Sequence, residues 1–130
     1  LDHVMADDLD EYLQQLPDDL RAQLSDVLRE QAERLSAAQR QALRSLEQPP
    51  EKTGHLEASC RVEAGEDDLE FLVLAGGDLT TKDGHDHALS FEFGTSHQPA
   101  RGFFYPTYRA MRDDMQQEID NAIEEVLRND

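Results

Sequence analysis

From Pro17 to Leu46 the chain keeps Leu20, Leu24, Val27, Leu28, Ala32, Leu35, Ala42 and Leu46 at steps of mostly three, four and seven. That spacing places them on one stripe of an α-helix. Roughly thirty residues rising ~1.5 Å each make a rod of about 45 Å. No other feature limits the architecture as much, because a chain of 130 residues has to be laid along it. The rod is longer than so small a core covers. Part of its stripe, or its alanine-rich far half (Ala37, Ala38, Ala42), is therefore expected to pack on a neighbour. The heptad does not persist, which argues against a coiled coil. Pro17 is acceptable in the first turn, and Pro49-Pro50 ends the pattern, giving a helix over 17–48.

The elements on either side follow from changes of period. Leu9, Leu13 and Leu16 predict a short helical arm over 1–16, with Asp7 and Asp8 suited to its dipole. After a connection at 51–54, Leu56, Ala58, Cys60, Val62 and Ala64 alternate with polar residues and predict a half-buried strand. Leu69 to Ala75 predicts a second strand, covered on both sides, and His87 to Phe93 a third, with Leu89, Phe91 and Phe93 on one face. The sheet thus occupies 55–93, interrupted by a glycine- and aspartate-rich mobile loop at 76–86. From residue 106 to 128 the helical period returns: Tyr108, Met111, Met115, Ile119, Ala122 and Val126, widened by Ile123 and Leu127, predict an amphipathic helix lying on the sheet. The expectation is one α+β domain over 1–130: two N-terminal helices, one of them long, a small antiparallel sheet of about three strands, and a C-terminal helix.

Charge narrows the function. With 29 acidic against 12 basic residues the net charge is −17, which argues against duplex DNA held by phosphate neutralisation and against an anionic membrane. An acidic surface either keeps the chain soluble or forms a wall that DNA passes without sticking. No apolar run reaches the ~18 residues of a membrane span, and no signal peptide is visible. Synthesis in the cytoplasm is the expectation. Cys60 is the one cysteine, in an apolar register that predicts a buried, inert thiol.

Catalytic patterns are thin. His85-Asp86-His87, with Asp83, is the sole histidine-acid cluster, and no third ligand is fixed beside it. Gly76-Gly77-Asp78 follows a strand without opening a helix, so it is no phosphate cradle. No serine has an evident base. The expectation is a protein that is not an enzyme, with no catalytic, metal or cofactor site.

The stretch from Ser90 to Pro106 gathers Phe91, Phe93, Phe103, Phe104 and Tyr105 with Gly94, Gly102, Pro99 and Arg101. It predicts a shaped connection between strand and helix, held by aromatic packing. Arg101 either clamps this turn, through carbonyls or a carboxylate such as Glu92, or pairs across a subunit contact; the clamp is preferred.

Three motifs, in order, carry a resemblance. Thr53-Gly54-His55-Leu56 with Ser59 is similar to a Thr-Gly-x-Leu-x-x-Ser pattern. Glu92-Phe93-Gly94-Thr95 resembles a Glu-Phe-Gly-Thr signature. Pro99-Ala100-Arg101 followed by Phe103 and Pro106 resembles Pro-Ala-Arg-Pro-Phe-Leu-x-Pro. Together they resemble the neck and tail-component family of long-tailed double-stranded-DNA phages and related gene-transfer particles, over about residues 17–128. The resemblance implies a structural virion protein of the head-tail junction: a homo-oligomeric ring, sixfold in that setting. Such a ring would contact an adjacent connector ring and the tail-tube protein, with a lumen that DNA passes without specific binding. It also implies that the corner sets the angle of the last helix, so that replacing Arg101 or Phe103 impairs assembly more than folding. The alternative, from charge alone, is an acidic DNA mimic that blocks a nucleic-acid-binding protein.

Overall fold

A computed structural model of the chain describes residues 11–47 and 52–129. The start of the arm, including Leu9, and the Pro49-Pro50 pair lie outside the described residues. The long helix, α1, runs Asp18–Leu46, with Asp18 and Asp19 in its first turn and Arg44 in its last. Both placements suit the helix dipole. Pro17 stands at the cap and its carbonyl accepts from the Arg21 amide at 2.9 Å.

The rod is covered at both ends by separate cores. At its start, Leu20 and Leu24 pack with Leu16 of the arm and with Val126, Ala122 and Ile123 near the end of the chain. At its far end, Leu43 packs with Leu56, Cys60, Ala88, Phe91 and Phe103, with Ala42 and Leu46 beside them. Leu43, Ala42 and Leu46, at the far end of the rod, are thus packed within the chain. Ala37 remains exposed.

The region expected to be one three-stranded sheet is organised differently. Residues His55–Ser59 form a short helix, α2, and the strand β1 is confined to Arg61–Ala64. Gly54, at φ +88, turns the chain into α2, which buries Leu56 and Ser59, with the C-cap residue Cys60 buried beside them. Strand β2, Phe71–Leu74, pairs antiparallel with β1 in the register Val62 to Val73. This is the hairpin the sequence predicts, but β2 is partly exposed rather than covered on both sides.

Segment 76–86 is not an open loop. It holds a 3-10 turn, Asp78–Thr80, and a second hairpin of β3, Thr81–Lys82, with β4, His85–Asp86. Asp83 and Gly84 both have positive φ at the tip, as an Asp-Gly hairpin turn demands. The predicted third strand is a helix, α3, at His87–Phe93. Helical winding buries Ala88, Phe91 and Glu92 and leaves Leu89 and Phe93 outside.

The last helix, α4, spans Tyr105–Asn129. Its main partner is α1 rather than the sheet. The architecture is α+β, with four short strands in two antiparallel pairs among the described residues. Arg21 ties the rod to the first hairpin: its Nε donates to Asp68 Oδ1 at 2.7 Å and to Oδ2 at 2.9 Å. That bond holds the Asp68 carboxyl below the usual carboxylate range.

Candidate functional site: the corner between α3 and α4

The chain enters α3 on a side-chain cap. Asp86 Oδ1 accepts from the Ala88 amide at 2.9 Å and from the Thr80 hydroxyl at 2.6 Å, while Oδ2 accepts from the Gly77 amide at 3.0 Å. Burial works against ionisation of Asp86, but these three bonds and the nearby His87 outweigh it and hold the carboxyl below its ordinary range. With Asp86 committed in this way, His85 and His87 keep to themselves. Their rings meet edge to face at 5.5 Å, and His85 Nε2 lies 2.5 Å from Ser90 Oγ. Among the described residues no three His, Cys, Asp or Glu side chains converge on one point. Burial, chiefly, raises the Cys60 thiol above its ordinary value.

Glu92, the penultimate residue of α3, is buried and aimed at the start of α4. Its Oε1 accepts from the Phe103 amide at 2.8 Å and the Phe104 amide at 2.9 Å, and its Oε2 from the Tyr105 amide at 3.1 Å. The first amides of a helix have no partner within it and carry its positive pole. A carboxylate reaching them from another helix fixes where α4 begins and how it leaves α3.

The residues between complete the corner. Gly94 ends α3 at φ +79, and a Cβ there would stand 2.7 Å from the Ala100 nitrogen, with Pro99 also in contact. Only glycine fits. Thr95 Oγ1 accepts from the His97 and Gln98 amides, both at 3.1 Å, and the Arg101 amide donates back to Phe91 O at 2.8 Å. The Arg101 guanidinium lies 3.9 Å from the centroid of Phe91, a cation-π clamp on the turn. Gly102 allows the Pro106 ring to close over the backbone, since a Cβ at 102 would meet Pro106 Cγ at 2.6 Å.

The three sequence motifs come together at the far end of the rod. Leu56 and Phe103 belong to one core, and Glu92 accepts from the Phe103 amide. Ser59, fully buried, accepts from the Gly76 amide at 2.9 Å and donates to Leu56 O at 2.6 Å. Thr53 Oγ1 accepts from the His55 amide at 3.3 Å, ahead of α2. Phe103 is 1% exposed and packs edge-on to Phe91. It is therefore a core residue, and the expectation that its loss impairs assembly more than folding does not fit its position.

The same corner displays an apolar stripe that periodicity placed inside. Leu89 is 60% exposed and Phe93 61%, one turn apart on α3. The Phe93 ring lies 5.9 Å from that of Tyr105, which is 45% exposed, and Tyr108, one turn further along α4, is 38% exposed. Reading 87–93 as a strand put Leu89, Phe91 and Phe93 on one face. As a helix, it splits them.

No family model matches the chain, and neither the curated proteins nor the solved structures include a significant match to it.

Proposed function

We propose that the chain is a non-enzymatic assembly protein: a ring-forming component of a phage-type head-tail junction, in a virion or a gene-transfer particle. It would stand between a neighbouring connector ring and the tail tube. One observation carries the proposal. A buried carboxylate and a glycine-dependent turn hold rigidly a corner whose outer surface is the stripe Leu89, Phe93, Tyr105 and Tyr108. An exposed apolar patch on a precisely fixed support is what a subunit contact requires.

The acids have a place in the same reading. Asp113, Asp114, Glu118, Asp120, Glu124 and Glu125 lie exposed along α4, and Asp18, Asp19, Asp26, Glu30 and Glu33 along α1. A ring that turned these faces inward would repel phosphate and let DNA slide. Electron microscopy of the purified chain, alone and mixed with tail tubes, tests the proposal. Rings, or caps on tube ends, support it. A monomer that instead captures a basic DNA-binding protein tightly would favour the mimic.

A further inference from the structure

Among the described residues the hairpin of β1 and β2 is two strands wide, so each strand has an edge that pairs with nothing. The Gly65 amide donates to Glu70 O at 2.8 Å, and that bond sets the phase of the ladder. Glu63 with Leu72 and Arg61 with Leu74 are then the hydrogen-bonded pairs. Val62 with Val73 and Ala64 with Phe71 are the alternate pairs. Phe71 and Val73 therefore turn their backbone N–H and C=O away from β1. No hydrogen bond among the described residues takes these groups up.

The two edges differ in what guards them. β1 carries Arg61 and Glu63, charged and exposed, and such side chains oppose the addition of a strand. β2 reads Phe71-Leu72-Val73-Leu74, without a charge or a proline. Its open side also leads into a cavity. The first half of α4 leaves a gap against α1 and β2, an apolar groove of about 480 Å³. Phe71 and Val73 of β2, Leu35 of α1, and Tyr108, Met115 and Ile119 of α4 line it. β1 supplies none of the described lining, so the groove lies on the side of β2 that faces away from β1.

We infer that the open edge of β2 pairs with an extended segment of a partner protein, which lies as a third strand in the groove between β2 and α4. The backbone groups of Phe71 and Val73 select a strand, because a helix spends its own amides and carbonyls internally and cannot answer them. The opposite wall, α4, selects a lone strand. A second copy would bring its own hairpin, whose further strand would stand about 4.8 Å beyond the first and run into α4. Every second side chain of the segment would face Leu35 and Met115, so the segment is apolar at alternate positions. Charge does not make the choice: Glu70 is the one charged residue of the described lining, and its Oε1 already accepts from the Glu66 amide at 3.0 Å. The inference goes beyond the self-association proposed above, which rests on Leu89 and Phe93 and does not need the edge of β2.

Amide NMR of the full chain, with a peptide of alternating valine and threonine between terminal lysines, tests this. The expected result is a shift and slowed exchange at the Phe71 and Val73 amides, with the Val62 and Ala64 amides on the guarded edge unchanged. Two N-methylated peptides, one blocked at every valine and one at every threonine, separate pairing from apolar contact. One of them, and only one, is expected to bind about tenfold more weakly than the parent. Equal behaviour of the two overturns the pairing. A peptide of leucine and lysine at helical spacing that moves the Met115 methyl signal, while the Phe71 and Val73 amides stay still, makes the groove a seat for a helix and overturns the strand. Protection of Phe71 and Val73 without peptide, rising with the sedimentation mass as the chain is concentrated, makes a second copy the donor and overturns the partner. No change at either amide up to millimolar peptide overturns the inference outright and leaves the ring contact at the corner standing.

Discussion

Glu92 receives three backbone N–H groups, and a carboxamide at that position has only one oxygen to offer them. In Glu92→Gln the oxygen keeps the Phe103 and Phe104 amides, while the NH2 faces the Tyr105 amide as donor against donor. The loss of a charged acceptor in a buried place is expected to cost about 1–3 kcal/mol in urea unfolding. A change within about 0.5 kcal/mol, the usual surface-mutation range, would mean that α4 starts where it does for another reason. Asp86 works through the same chemistry at α3, and its sign is definite. Its folded-state carboxyl lies below the ordinary range, so its contribution is present above the unfolded pKa and is lost as pH falls through the folded one. Amide exchange at Gly77 and Ala88 is expected to rise in that acid window, after correction for intrinsic rates, while the Arg101 amide, which bonds the Phe91 carbonyl and no titrating group, serves as the internal comparison. Equal loss at all three would point to global unfolding.

At the scale of elements, the helices with long stripes and the β1–β2 hairpin were legible in the sequence, and the other short segments were not. Residues 18–46 and 105–129 have enough turns for the 3.6 period to declare itself. In His87–Phe93 the seven residues alternate apolar and polar as readily as they wind. The deciding signals are the cap Asp86 before them and Gly94 after them. Leu56 to Cys60 misleads similarly: Gly54 opens a helix there, and Cys60 ends it just where β1 begins. The Asp83-Gly84 pair was the missed sign of a hairpin inside 76–86. The corner was legible as a packed connection, and Gly94 was legible as a special position. That Glu92 would bond α4 rather than Arg101 was not, because it depends on the helix start folding back over eleven residues of chain. Gly94→Ala is expected to destabilise by more than about 1 kcal/mol, since its φ is positive and its Cβ would strike the Ala100 nitrogen. Differential scanning fluorimetry and urea titration check this, and an unchanged midpoint would show that the turn can relax.

The whole molecule is a rod with a core at each end. That arrangement covers both ends of the long helix, and it leaves open the stripe at the corner and an apolar groove at mid-rod lined by Leu35, Val73, Met115 and Ile119, the two sharing Tyr105 and Tyr108. Their roles differ from that of Phe103, which belongs to the core, so substitutions sort by exposure rather than by motif. Phe103→Ala is expected to cost about 3–5 kcal/mol of stability, read by urea unfolding at a concentration where the chain is monomeric. A loss under about 1 kcal/mol would contradict its place in the core. The stripe is the claim on which the proposed assembly stands, and Phe93, exposed and outside the core, is the residue that isolates it. Light scattering of wild-type chain and Phe93→Glu, matched for concentration and for circular dichroism, measures it most directly. The account predicts a wild-type mass that is a fixed multiple of the chain and a folded monomer for the variant; a variant that assembles like the wild type would contradict it.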